Sequence, residues 1–250
     1  MQGRWRNISS ISFMEANAML KLIRLEWQKN NLSGYFKGLA ICIAAIFAAV
    51  TLMALGSKGE NEPMSYADFV SLSGILIRIT YIIFSSVILS RLVIDEYKSN
   101  MIQVLFTYPL QRKKIIQAKL SIVFGFCFFS IIITTFLIHL LTYFLNPMIG
   151  IFDASIPVSA MMGAVPATIL NAFMMAGISL IPLSFGMRKK SAPSTITSAV
   201  IIGFLINASV SDGGSSASLF QFIAIPIVLC LLGLFLGYLA FNKVDRTDVA

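Results

Sequence analysis

The sequence predicts an all-α integral membrane protein that forms a single membrane domain over residues 1–250. Hydrophobic residues make up 57% of the chain and charged residues 12%, whereas a soluble domain of this length has roughly a quarter of its residues charged. The mean hydropathy is +0.84. So much apolar side chain exceeds what one water-soluble core can bury, and the bilayer is therefore the predicted solvent.

Six apolar segments approach the length of about 20 residues that a membrane-spanning helix needs. They lie at about 38–56, 69–92, 120–145, 158–187, 193–210 and 219–241, so the predicted fold has six transmembrane helices. The fourth segment is too long for one straight crossing, and Pro166 and Pro182 are positioned to kink or break it, because proline lacks a backbone donor. Gly233 and Gly237 in the last span predict a close helix contact whose partner the pattern leaves open.

The basic residues predict the orientation of these spans. All 19 Lys and Arg residues except Lys58 and Arg78 fall before the first span, in or beside the loops after the second and fourth spans, or in the C-terminal tail. Membrane proteins concentrate Lys and Arg in their cytoplasmic loops, so this side and both termini are predicted to be cytoplasmic. The net charge of +8 therefore reflects topology in a lipid bilayer and does not indicate nucleic-acid binding.

The region before the first span has the periodicity of an amphipathic helix. Apolar side chains within residues 13–36 recur at intervals of three to four, at Phe13, Ala16, Leu20, Ile23 and Trp27. This spacing predicts a helix that lies in the inner membrane interface. A soluble cap or a disordered lead is the alternative.

The cytoplasmic loop at residues 93–119 interrupts the apolar pattern with charges and a proline. A helix over 93–106 would place four apolar side chains on one side, at Ile94, Tyr97, Met101 and Leu105. Pro109 would end this helix, because the residue before a proline avoids the helical region. One interpretation is a docking element for a cytoplasmic partner, and the other is a solvated loop whose bases face the lipid. Composition alone leaves both open.

This loop and the order of the spans resemble the permease subunits of ABC-2-type ATP-binding cassette transporters. In that family a Glu is followed by Gly-Thr, a Leu-rich helix, Pro, Arg and a Lys that leads into the third span. The matching positions are Glu96, Asn100, Met101, Leu105, Pro109, Arg112 and Lys119, with Asn100-Met101 in place of Gly-Thr. Residues 19–38, MLKLIRLEWQKNNLSGYFKG, are similar to the N-termini of the small six-span members linked to bacitracin resistance and lantibiotic self-protection.

The resemblance implies the permease subunit of an exporter in a bacterial-type plasma membrane. Its partners would be an ABC ATPase, which holds ATP and magnesium, and a second permease chain in a homodimer or heterodimer. The cargo would be a hydrophobic or amphipathic peptide antibiotic or a drug, with multidrug or lipid-like efflux as the alternative. The ATPase-coupling positions would be Glu96, Tyr97, Asn100, Met101, Leu105, Pro109 and Arg112. A second, smaller cytoplasmic contact is expected at Arg188, Lys189 and Lys190.

Motifs for chemistry within this chain are missing from its sequence. No phosphate-binding loop of the form G-x-x-x-x-G-K-[ST] occurs, so the chain is expected to bind no cofactor of its own and to have no catalytic residues. An intramembrane enzyme or an ion-coupled secondary transporter would call for intramembrane acids, paired catalytic groups or repeats, and neither is favoured. His139 has no second histidine as a companion, so no metal site is expected, and a neutral His139 hydrogen-bonded within the bundle is favoured.

Polar residues inside the spans are candidates for a translocation path, at Arg78, Thr80, Asn171 and Asn207. Hydrogen bonding between helices is the alternative role for such residues. If span two begins at Phe69, Arg78 lies deep enough to require a cleft, whereas if it begins at Ile75, Arg78 extends to the outer headgroups. We expect Arg78 to line an outer-leaflet cleft.

Overall fold

The fold is seen in a computed structural model, which describes residues 33–58, 64–94, 112–150, 152, 162–189, 191–212, 215–218 and 224–243. Within these ranges seven stretches are α-helical: α1 (Ser33–Ser57), α2 (Tyr66–Leu89), α3 (Arg112–Ile149), α4 (Val165–Ile178), α5 (Ile181–Lys189), α6 (Ala192–Asn207) and α7 (Ala224–Lys243). A π-helical segment, Ser90–Ile94, directly follows α2. Two short strands, β1 (Ser209–Asp212) and β2 (Ser215–Ser218), form an antiparallel hairpin between α6 and α7.

The helices have the composition that the sequence predicts for membrane spans. Four are long and apolar enough to cross a bilayer, namely α1, α2 with its π segment, α3, and α4 together with α5. The helices Ala192–Asn207 and Ala224–Ala240 are shorter but equally apolar in character. The prediction of an all-α membrane protein is therefore confirmed. Most of the predicted interfacial helix at residues 13–36 lies outside the described residues, and its last four residues, 33–36, begin α1.

The fourth predicted span is divided into two helices. Pro166 lies in the first turn of α4, where its missing N–H costs nothing because that turn has no intrahelical acceptor for it. The helix is interrupted between Ile178 and Ile181, and the second helix begins one residue before Pro182. At the break the Ser179 hydroxyl donates to the Ala176 carbonyl at 2.7 Å. Of the two prolines, only Pro182 is therefore associated with a break.

The second helix lies at the centre of the packing. It packs against α1, α3 and α6, while α4 packs against α3 and α7. The largest fully buried side chains include Phe69, Tyr81, Ile82, Ile88 and Leu89, all on α2. Outward-facing positions carry large exposed apolar side chains such as Phe129, Phe136 and Phe204, as expected where lipid is the solvent.

The bundle has two ends of different character. At the basic end the start of α1 meets the end of α2, since a Cβ added to Gly38 would lie 3.1 Å from the Phe84 ring. Exposed Lys37 and Arg91 lie at this end, which the sequence predicts to be cytoplasmic. At the opposite end the Lys58 amine donates to the carbonyl of Gly150, which has a left-handed φ of 64°. Gly150 suits this connection because a side chain there would be strained.

Candidate functional site

Most of the predicted coupling helix lies outside the described residues. This applies to Glu96, Tyr97, Asn100, Met101, Leu105 and Pro109, and also to Lys190 of the second predicted contact. Arg112 is the first residue of α3. Of the loop over 93–119 that is predicted to couple to an ATPase, called the coupling loop below, the structure describes only the two ends, in the π segment and in the first turns of α3.

The π segment forms a buried root for the coupling loop. Ser90, Leu92, Val93 and Ile94 are buried, whereas Arg91 between them is exposed. A π-helical turn is rare, and such turns occur frequently at functional sites. The backbone of this segment cannot turn its carbonyls to water on its buried side, so those groups need partners within the protein.

Lys119 supplies one of those partners. Its side chain is only 2% exposed, and its Nζ donates to the Leu92 carbonyl oxygen at 3.0 Å. Lys119 therefore joins the end of α2 to the beginning of α3 from inside the bundle.

The second basic loop lies beside this root. Arg188 and Lys189 are exposed at the end of α5. Just before them, Gly186 packs so closely that an added Cβ would overlap the Thr195 hydroxyl of α6 and lie 2.9 Å from Ile94 Cδ1. The contact between Gly186 and Ile94 brings the second predicted contact next to the root of the first.

The candidate path residues lie on three helices, α2, α6 and α4, of which α2 and α6 pack against each other. Arg78 is half-buried on α2, and its Nε donates to the Gly74 carbonyl at 3.1 Å, so the side chain turns back toward the opposite end. Asn207 ends α6, which packs on α2, and its Oδ1 is buried without a hydrogen-bond partner among the described residues. Thr80 is half-buried on α2 as well. Asn171 is on α4, which packs mainly against α3 and α7.

The depth of Arg78 in the membrane depends on where α2 begins, for which Phe69 and Ile75 were the two positions considered. The helix begins at Tyr66, before both Phe69 and Ile75, and Ser65 caps it by accepting from the Asp68 N–H at 3.2 Å. With its π segment the helix extends over 29 residues, which is about 44 Å at 1.5 Å per residue. It is thus longer than the bilayer core of roughly 30 Å, and its polar first turn fits the headgroup layer.

A buried polar layer in the middle of the bundle consists mostly of residues that were not candidates from the sequence; Ser179 is the exception, as a polar residue within a predicted span. The Tyr81 hydroxyl bonds the Thr134 hydroxyl between α2 and α3. The Cys127 thiol adjoins the side chains of Ser85 and Ser179, close to the break between α4 and α5, and the buried Ser85 Oγ has no hydrogen-bond partner among the described residues. Hydroxyl pairs of this kind hold membrane helices together. The signal in the sequence was the recurrence of Tyr, Ser and Thr within spans two and three.

His139 has the hydrogen-bonded environment that the sequence analysis favoured. Its Nδ1 lies 3.0 Å from the Tyr66 hydroxyl at the opposite end of the bundle. The Phe152 ring meets the rings of Tyr66 and Phe69 edge to face, at centroid distances of 5.7 and 5.4 Å. Among the described residues no three His, Cys, Asp or Glu side chains are grouped so as to hold a metal. These contacts connect the end of α3 with the start of α2.

Comparisons with known proteins agree with the family suggested by the coupling-loop pattern. Residues 22–207 match the family model described as "ABC-2 family transporter protein". The chain is 34% identical over 231 residues to the uncharacterized protein YcbO of Bacillus subtilis (strain 168). The alignment covers 92% of this chain and all of YcbO. No solved structure matches the chain.

Proposed function

Because the chain belongs to the ABC-2 family of transporter proteins, we propose that it is the permease subunit of an ATP-driven exporter of hydrophobic or amphipathic peptide antibiotics. Two permease chains, identical or different, pair with two ABC ATPase subunits in a bacterial-type plasma membrane. The ATPases bind ATP and magnesium, and the permease provides the path through the bilayer. The family match over residues 22–207 is the observation that carries this proposal.

The movement of the ATPases enters the permease at the basic end. The coupling loop over 93–119, with Glu96, Met101 and Leu105 on its helix, fits into a groove on one ATPase. Arg188 to Lys190 make the smaller second contact. The close packing of Gly186 against Ile94 supports a shared route, because a force on either loop acts on the same group of buried residues.

The cargo enters the complex from the membrane and leaves at the opposite end. The connection between α1 and α2 at that end, residues 58–65, is too short to form a receptor domain. A hydrophobic or amphipathic peptide that already partitions into the bilayer needs no such receptor. Arg78, Thr80 and Asn207, on the paired helices α2 and α6, and Asn171 on α4 are the polar residues proposed to face the path.

Affinity purification tests the assembly. The permease is purified from its native membrane in a mild detergent, and the proteins that accompany it are identified by mass spectrometry. We expect an ATPase with a phosphate-binding loop in near-equal amount. Replacing both Glu96 and Leu105 by alanine should lower the recovered ATPase at least tenfold, because these residues are proposed to fill its groove. Purification without any such ATPase would refute the proposal.

Susceptibility measurements test the cargo. A strain without this permease is compared with the same strain carrying the gene, across amphipathic peptide antibiotics and small hydrophobic drugs. We expect the inhibitory concentration of at least one peptide to rise fourfold or more with the gene, and that of the drugs to stay constant. A rise confined to the small drugs would replace the peptide cargo with multidrug efflux.

A further inference from the structure

We propose that Lys119 is a positioning residue that fastens the root of the coupling loop to α3, so that movement of the loop reaches α3 and α5 together. This inference rests on the proposed function, because it assigns a route for the force that the ATPases supply. The route consists of two contacts on the π segment, one made by Lys119 and the other by Gly186 and Thr195.

The first contact is a hydrogen bond across a long stretch of sequence. Lys119 Nζ donates to the Leu92 carbonyl at 3.0 Å, and the two residues are 27 positions apart. Ala118 and Leu120 on either side of Lys119 are also buried, so this turn of α3 is enclosed by protein. The bond therefore closes the base of the whole coupling loop, because it joins the last residue of the range 93–119 to the residue just before that range.

The requirement for a lysine follows from this geometry. An apolar side chain of the same length would fill the space but would remove the charged donor that Lys119 gives to the Leu92 carbonyl in a buried setting. A shorter polar side chain would not span the distance between the two helices. Only a long side chain with a terminal donor both fills the space and bonds the carbonyl.

Membrane topology alone does not explain this residue. A lysine retained only to mark the cytoplasmic side is expected to extend toward water or the headgroups. Lys37 on α1 does so, since it is exposed at the basic end. Lys119 is 2% exposed and turns inward to the π segment instead.

The second contact holds the other side of the π segment. Ile94 and Thr195 are fully buried, and Gly186 leaves no room for a methyl group between them. The π segment thus lies between α3 on one side and the α5–α6 connection on the other. Because interfaces this dense do not deform gradually, a displaced root carries both neighbours with it.

The test uses the complex of the permease with the ATPase that co-purifies with it, reconstituted in lipid nanodiscs. Lys119→Met removes the donor, Lys119→Arg keeps one, and Lys37→Met applies the same change to an exposed lysine. Three quantities are measured: the ATPase bound per permease, the KM for ATP, and kcat per assembled complex. Thermal unfolding of each variant is recorded in parallel.

We expect Lys119→Met to bind ATPase and ATP within twofold of wild type but to lower kcat at least fivefold. When the hydrogen bond between Lys119 and the Leu92 carbonyl is lost, the loop still binds the ATPase. The permease then no longer holds the two ATPases in the arrangement that hydrolyses ATP. Lys119→Arg should recover at least half of the wild-type kcat, and Lys37→Met should equal wild type. If Lys119→Met does not fold, Lys119→Gln replaces it, since the glutamine amide is too short to reach Leu92.

A wild-type kcat in the assembled Lys119→Met complex overturns the inference. So does a loss of activity that only follows the loss of bound ATPase, or an arginine variant no better than the methionine variant. If both Met and Gln variants unfold while Arg folds, Lys119 serves folding and the positioning role is rejected. If the wild-type permease captures no ATPase at all, the proposed function fails, which is distinguishable from every outcome above.

Discussion

Two glycines allow α4 and α7 to cross with their backbones nearly in contact. A Cβ added to Gly233 would overlap the Gly177 carbonyl, and one added to Gly177 would overlap the Cys230 sulfur. Small residues permit this approach in membranes, where packing rather than water exclusion drives helix association. The crossing lies just before the break between α4 and α5, so it fixes the place from which α5 departs.

Replacing Gly233 by alanine should destabilise the bundle. The added methyl group has no free space and forces the helices apart, which costs about 1–3 kcal/mol in a packed core. The measurement is the thermal unfolding temperature in detergent. Gly125→Ala is the matched control, because an added Cβ there meets nothing within 4 Å. Equal unfolding temperatures for the two variants would show that the crossing tolerates a side chain.

Individual residues show where sequence analysis reached its limit. The spacing of Gly233 and Gly237 predicted close packing, but not that Gly177 is the partner, because contact between distant segments is not encoded in a local pattern. Lys119 was recognised as part of the family pattern, yet its burial depends on how α2 and α3 meet. A lysine beside a span has the same sequence signature whether it faces water or a carbonyl.

At the scale of elements, hydropathy predicted the all-α membrane class, because lipid imposes helices on any long apolar segment, and four of the described helices are long and apolar enough to cross a bilayer. It predicted less well how each span begins and ends. The fourth segment divides near Pro182, and α6 ends at Asn207 before a hairpin that the sequence analysis did not include. The two residues between the paired Asp212 and Ser215 are Gly213-Gly214, and Gly-Gly is a known sequence signal for a hairpin turn. The short polar strands beside it lack the alternating apolar pattern that identifies strands.

The packing of α5 on α6 gives a prediction with a second-site rescue. Gly186→Ala should lower stability by about 1–3 kcal/mol, since its methyl group would overlap the Thr195 side chain. Adding Thr195→Ala removes the obstructing hydroxyl and should recover part of the loss. Thermal unfolding of wild type, both single variants and the double variant forms a double-mutant cycle. Strictly additive effects of the two changes would contradict the packing described for this pair.

At the scale of the whole molecule, the positions of the basic residues and the positions of the side-chain contacts both distinguish the same two ends of the bundle. The basic residues that predict the cytoplasmic side belong to the end where the coupling-loop root, Lys119 and the α5–α6 connection meet. The aromatic and polar contacts of Tyr66, His139 and Phe152 gather at the other end. Which of the two ends faces the cytoplasm stays a prediction from the sequence, while the contacts within each end required the folded chain.

Labelling of single cysteines tests this orientation. In a background with Cys42, Cys127 and Cys230 replaced by alanine, a cysteine is placed at Gly56 or at Lys189, both exposed. A membrane-impermeant maleimide should label the Gly56 position in intact cells. It should label the Lys189 position only after the cells are permeabilised, because that end is predicted to be cytoplasmic. Labelling of the Lys189 position in intact cells, with the Gly56 position labelled only after permeabilisation, would show that the predicted orientation is wrong.

The π segment changes the direction, around the helix axis, in which the side chains of any following helix point. Each residue of an α-helix advances the side-chain direction by about 100°, and a π turn accommodates one additional residue. Any helix that continues beyond Ile94 therefore begins roughly a quarter-turn out of phase with α2. A one-residue deletion within Ser90–Leu92 would rotate the predicted helix over 93–106 relative to the membrane without altering a single side chain of that helix. If residues 93–106 form the helix that the sequence predicts, the phase set by this segment determines which face of that helix is presented to a partner.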